Sequence, residues 1–177
     1  MRMHLSLLLT GSVLTSAACA GDLASFPERK PGLWEITQKH AQRNLPPQVQ
    51  HICLDRATDA LLYKFGTGTA RQICSKLDVH RSGELIEVQS ACRLAESTLT
   101  SHSVYTYSGN TAYHEVISVH YDPPLLGKTS DSQTLIDAKW MGACPADMKP
   151  GDMVTEPSQM MPVPLHMNLR ALLGQGD

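Results

Sequence analysis

Apolar and polar positions alternate with a period of two over most of residues 32–142, the repeat of strands buried on one face. In GLWEITQKH, Trp34 and Ile36 fall on one side and Glu35, Thr37 and Lys39 on the other. QVQHICL sets Val49, His51 and Cys53 against Gln50, Ile52 and Leu54. The period then changes. In DRATDALLYKFG, Asp55 is placed to cap a helix, Leu61, Leu62 and Phe65 share a helical face, and Gly66 is expected to end it. CSKLDVHR and LIEVQSACRL predict a hairpin about a Ser82-Gly83 turn, with Ile86, Val88, Ser90 and Cys92 on the buried face.

STLTSHSVYTY and TAYHEVISVHYD predict the longest hairpin, turning through residues 108–110, where Gly109 and Asn110 supply the positive-φ conformations. With a three-residue loop the odd positions share a face: Leu99, Tyr105, Tyr107, Tyr113, Ile117, Val119 and Tyr121. His102, Val104, His114, Val116 and His120 share the other, and a two-residue loop would mix the sets. SQTLIDAKWMGA reads as a last strand, Ile136, Ala138 and Trp140 alternating with Leu135, Asp137 and Lys139. Trp140 is expected in the core, and Gly142 is expected to relieve crowding near the strand end. Pro145 stops the ladder, and Pro150-Gly151 suits the centre of a type II turn.

Strand after strand around one helix predicts an all-β or β-dominated domain, built as a curved antiparallel sheet or partly closed barrel with one short helix. Beyond Pro150 the alternation stops. Residues 155–177 read as a Pro- and Met-rich tail with one amphipathic helix over 166–173, which leaves residues 21–154 as a single β-rich domain.

Residues 1–20 change the setting of that domain. Arg2, an apolar run from Leu5 to Leu14, and Ala18 and Ala20 in an A-x-A arrangement have the form of a secretory signal peptide. Cleavage after Ala20 would place the protein in the periplasm or outside the cell. Lipoprotein anchoring through Cys19 is the disfavoured rival, because Ser16 stands where a leucine is usual. No later segment has the length of a transmembrane helix. With 15 Lys and Arg against 17 Asp and Glu there is no basic surplus to hold nucleic acid.

Without Cys19, four cysteines remain: Cys53, Cys74, Cys92 and Cys144. An even number in an oxidising compartment predicts two disulfides, and the lack of any C-x-x-C pair disfavours zinc. Three connectivities are open. The expected one is sequential, Cys53 with Cys74 across the helical connection and Cys92 with Cys144 across the sheet.

KPGLWEI, ICLD, RQICSKLDVHRSG, SACRL and DAKWMGACPADMKPGD, in that order, resemble the domain-of-unknown-function family 3617. The resemblance spans residues 30–152 and assigns Gly32, Trp34, Cys53, Cys74, Cys92, Trp140, Gly142, Cys144, Pro150 and Gly151 as signature positions. It implies a small exported bacterial protein with a cysteine framework and no established activity. HSVYTYSGN stands in place of the glycine-rich stretch expected after the third cysteine, and the Met-rich tail also departs from the pattern.

Candidate chemistry is sparse. G-x-S-x-G, H-E-x-x-H and a phosphate-binding glycine loop are all absent. Glu84, Glu87, Glu115 and Asp137 read as carboxylates on solvated strand faces. His114 and His120 lie too far apart on one strand to share a metal, which leaves His102 with His114 as the pair to consider. Soft ligands in the tail, with Met160, Met161, His166 and Met167 foremost and Met148 and Met153 upstream, suit Cu(I).

Three functions follow. The leading one is an exported, non-catalytic envelope protein binding a small apolar ligand, lipid or partner protein through Trp34, Tyr105, Tyr107, Tyr113 and Tyr121, without a cofactor. The others are a periplasmic copper binder using the tail and a hydrolase without a recognised motif.

Overall fold

The computed structural model describes residues 26–43, 45–158 and 162–173. In chain order the elements are β1 (Gly32–His40), β2 (Gln48–Leu54), α1 (Arg56–Ile73), β3 (Cys74–Ser82), β4 (Leu85–Leu94) and β5 (Ser97–Ser108). They continue with β6 (Ala112–Leu125), β7 (Thr129–Gly142), β8 (Asp152–Thr155), β9 (Leu165–Asn168) and α2 (Leu169–Leu172). The strands form one antiparallel sheet in the order β3-β4-β5-β6-β7-β1-β2-β8-β9, which curves but does not close.

The helix starts where the sequence predicts, with Asp55 Oδ1 accepting the Thr58 amide at 2.7 Å. It does not end at Gly66 but runs to Ile73. A glycine inside a helix costs about 1 kcal/mol relative to alanine, too little to stop one that the topology requires. β2 and β3 lie six strand positions apart, roughly 29 Å at about 4.8 Å each. The 18 residues of α1 span roughly 27 Å, so the helix carries the chain across one face of the sheet.

That crossing overturns the sequential disulfide pairing. Cys53 and Cys74 stand at opposite ends of the helix, far beyond the Cα separation a disulfide allows. The bonds are Cys53–Cys144 and Cys74–Cys92. Leu33 at the start of β1 is the Cα partner of Cys53 on one side and Gly142 on the other, which brings Cys144 within reach of Cys53. Cys74 faces Cys92 directly across β3 and β4.

Both predicted hairpins form, each with its turn one residue further along. Ser82 pairs with Leu85 around Gly83 and Glu84, and Ser108 pairs with Ala112 around residues 109–111. In the second hairpin every partner is displaced by two positions, so the predicted faces survive unchanged.

Crowding at the end of β7 falls on Gly32 rather than Gly142. A Cβ on Gly32 would run into the Gly142 carbonyl oxygen and the Trp140 ring nitrogen, and Gly32 also holds φ +136°; a Cβ on Gly142 would meet nothing within 4 Å, and that glycine answers only to its φ of +134°. Gly32→Ala is expected to lower stability by about 2 to 3 kcal/mol in urea unfolding, since strain and clash act together. A loss within a few tenths of a kcal/mol would refute that account.

After Pro150-Gly151, where the Asp152 amide closes a turn onto the Lys149 carbonyl at 2.9 Å, the chain rejoins the sheet as β8. Pairing of β8 with β9 takes residues 165–168 into a strand, so only Leu169–Leu172 of the helix expected over 166–173 forms. Leu169 is buried, and Arg170 Nη2 lies 2.8 Å from Asp55 Oδ2 and 3.2 Å from Thr58 Oγ1. The described residues 162–173 thus bring α2 against the start of α1.

Candidate functional site

Register carries one face through the sheet. Ile52 opposes Trp34, Trp34 opposes Trp140, Ala138 opposes Tyr113, Tyr113 opposes Tyr107, and Tyr105 opposes Ile86. α1 lies on this side. Its Leu62 packs on the core of Trp34, Ile52, Leu54 and Ala138, and the Tyr63 hydroxyl is 3.3 Å from that of Tyr107. Large rings on one face supply the apolar area that fixes the helix there.

Residues 26–31 seal the rest. Phe26 stacks on Tyr63 at 5.2 Å between ring centres and meets Tyr105 edge-on at 5.3 Å. Arg29 donates from Nε to Asp59 Oδ1 at 2.6 Å and from its backbone amide to Oδ2 at 3.0 Å. Its guanidinium lies 5.3 Å from the Tyr63 ring centre and 5.9 Å from that of Trp34. Trp34 Nε1 donates to the Lys30 carbonyl at 2.8 Å, and Trp140 Nε1 to that of Pro31 at 3.0 Å.

Of the five residues expected to form a ligand face, Trp34, Tyr105, Tyr107 and Tyr113 are therefore packed beneath α1 and this segment. Trp34 is 1% exposed and Tyr107 3%. Tyr121 lies on the same face further down β6, half-buried and away from these ring contacts.

Glu115 is not the solvated carboxylate expected. As an odd position of β6 it shares the side of Tyr113 and Ile117, and it is 6% exposed. Burial raises its pKa to about 7, opposed in part by a hydrogen bond with Tyr105 and by His114. The Tyr105 and Tyr107 hydroxyls are pushed above their usual range, and Tyr113 up to about 12, in each case chiefly by burial. The signal for Glu115 was the alternation that located its neighbours. Glu84, in contrast, is exposed and accepts the Gly109 amide at 3.1 Å.

On the far side, His114 Nδ1 lies 2.8 Å from Asp137 Oδ1, and His120 Nδ1 lies 2.9 Å from Asp131 Oδ1. Thr106 and Thr100 are the Cα partners of these histidines on β5. Among the described residues neither imidazole is hydrogen-bonded to a hydroxyl, the contact that would activate a nucleophile. His102 pairs with Ser118, four positions from His114, roughly 13 Å along the strand. The expected His102 and His114 pair is not formed.

Among the described residues no three His, Cys, Asp or Glu side chains converge as metal ligands. Met160 and Met161 lie outside the described residues. His166 and Met167 are consecutive in β9 and so point to opposite faces, with Met167 opposite Met153 on β8.

Beyond the helix, the side that carries the tyrosines stays open at the end formed by the β6–β7 hairpin. A cleft of about 600 Å³ there is bordered by Val119, Tyr121 and Leu125 of β6, Ser132 and Thr134 of β7, and His40 of β1, with Arg43 and Lys128 at its rim. The Tyr121 hydroxyl is 3.2 Å from Ser132 Oγ, and His40 Nδ1 is 3.2 Å from Thr134 Oγ1. These two contacts pair four of the polar groups of the wall, beside the apolar surfaces of Val119, Tyr121 and Leu125. A second cleft, of about 470 Å³, includes Ser101, His102, Ser118 and Gln133.

Residues 29–144 match a family model described as "Protein of unknown function (DUF3617)". No curated protein and no solved structure matches the chain.

Proposed function

The chain belongs to the DUF3617 family, and we propose that it is an exported, non-catalytic protein of the cell envelope that holds a small apolar ligand at the open end of its helix-side sheet face. One observation carries the reading. The aromatic half of that face is filled by α1 and residues 26–31, whereas the other half keeps a cleft of about 600 Å³ walled by Val119, Tyr121 and Leu125. Its volume falls within the range of small-molecule sites.

Two disulfides and a leader-like stretch over residues 1–20 support an oxidising compartment. Among the described residues no helix is long and apolar enough to cross a membrane. Among the described residues the His–Asp pairs on the far side have no hydroxyl partner, so they form no Ser-His-Asp arrangement.

Native mass spectrometry of protein recovered from the periplasm is expected to show an added mass that organic solvent releases. Val119→Asp, a change at a half-buried position, is expected to abolish that mass while leaving the circular dichroism spectrum unchanged. A clean unliganded mass, together with failure to bind any apolar fluorescent probe, would overturn the proposal.

A further inference from the structure

The charge distribution around the cleft narrows the class of ligand, an inference that rests on the binding role proposed above. Arg43 follows β1 and Lys128 sits in the β6–β7 turn; the two approach the same cleft from different strand connections. Among the described residues neither is ion-paired with a carboxylate, although Arg29, Arg56 and Arg170 all are. Among the described residues the one carboxylate lining the cleft, Asp131, is engaged by His120 Nδ1 at 2.9 Å. His40 adds a third nitrogen-bearing side chain to the wall.

An apolar strip of Val119, Tyr121 and Leu125 in an otherwise polar wall, with two unpaired cations beside it, is complementary to a molecule with a hydrocarbon body and a negative head. The guanidinium fork and the ammonium group can both hold a carboxylate once the chain lies along Val119 and Tyr121. Beside the cleft, Leu126 projects from the hairpin tip at 90% exposure, next to Leu125 of the wall. We infer that the cleft binds a single-chain anionic amphiphile, a long-chain free carboxylic acid, with its head between Arg43 and Lys128.

The test uses the full mature chain and three probes: cis-parinaric acid, its methyl ester, and lysophosphatidylglycerol as a competitor. The expected result is saturable binding of the acid, at least about tenfold weaker binding of the ester, and little displacement of the acid by the lysolipid. The double variant R43E/K128E, altered only at exposed positions, is expected to weaken the acid about tenfold or more and leave the ester unchanged. Equal affinity for acid and ester, or an unaffected double variant, would overturn the anionic-head assignment while leaving apolar binding in place. Tighter binding of the lysolipid would overturn the carboxylic acid as the ligand. Failure of both acid and ester to bind would remove this inference and the proposed function together.

Discussion

Replacing Cys53 and Cys144 together by alanine is expected to cost about 4 to 5 kcal/mol of folding stability, and replacing Cys74 and Cys92 about 3 kcal/mol. The difference comes from the length of chain each bond closes, 91 residues against 18. The longer loop holds β1, β2 and the end of β7 in one unit. Its loss removes a large share of the roughly 5 to 15 kcal/mol typical of a domain. Equilibrium urea unfolding of the two double variants under oxidising conditions gives the ranking, and a reversed order would refute the chain-entropy account. Peptide mapping without reduction should recover Cys53 joined to Cys144; recovery of Cys53 joined to Cys74 would mean that α1 does not cross the sheet.

The second large effect depends on pH. Glu115 ionises near its ordinary value of 4.5 in the unfolded chain and near 7 in the native protein. Between those values the unfolded chain gives up a proton that the native state keeps. Stability from this group is therefore fully present below about pH 4.5 and falls as pH rises to about 7. The loss is about 3 kcal/mol, to order of magnitude, and then levels off.

Glu115→Gln cannot ionise and keeps an amide near Tyr105. Parent and variant are expected to be similar at pH 4, and the variant more stable by up to about 3 kcal/mol at pH 8. Asp55 and Asp152 have pKa values lowered by hydrogen bonds to neighbouring groups, mainly from Thr58 and Asn168, after burial is overcome in the case of Asp55. They contribute a slope of opposite sign at acid pH. It is common to both proteins, so the difference between them isolates Glu115. A difference that does not change with pH would remove Glu115 as its source.

Alternation made the strands legible because it reports directly which side chains share a face. Asp55 marked the start of α1, since its carboxylate accepts the Thr58 amide there, and the faces of β5 and β6 survived a two-position slip in pairing. What covers a face lies beyond the reach of a period. The tyrosine surface reads identically whether it meets ligand or helix, and Phe26 and Arg29, which help to cover it, carry no periodic signal. Strand order was hidden for a related reason. β1 inserts between β7 and β2 through contacts distant in sequence, and the disulfide partners follow from that insertion. Glu115 was misplaced because its charge was given more weight than its position.

The way residues 26–31 are held also fixes how the protein can be attached to anything. Arg29 on Asp59 and Trp34 on the Lys30 carbonyl pin this segment at the end of the sheet where β1 begins and β5 finishes. The cleft opens at the opposite pole, roughly 26 Å along β6 from Tyr113 to Tyr121. A tether, tag or surface joined ahead of Phe26 would therefore leave the cleft mouth pointing outward. Immobilisation through the amino end is thus the geometry of choice for presenting ligands to it.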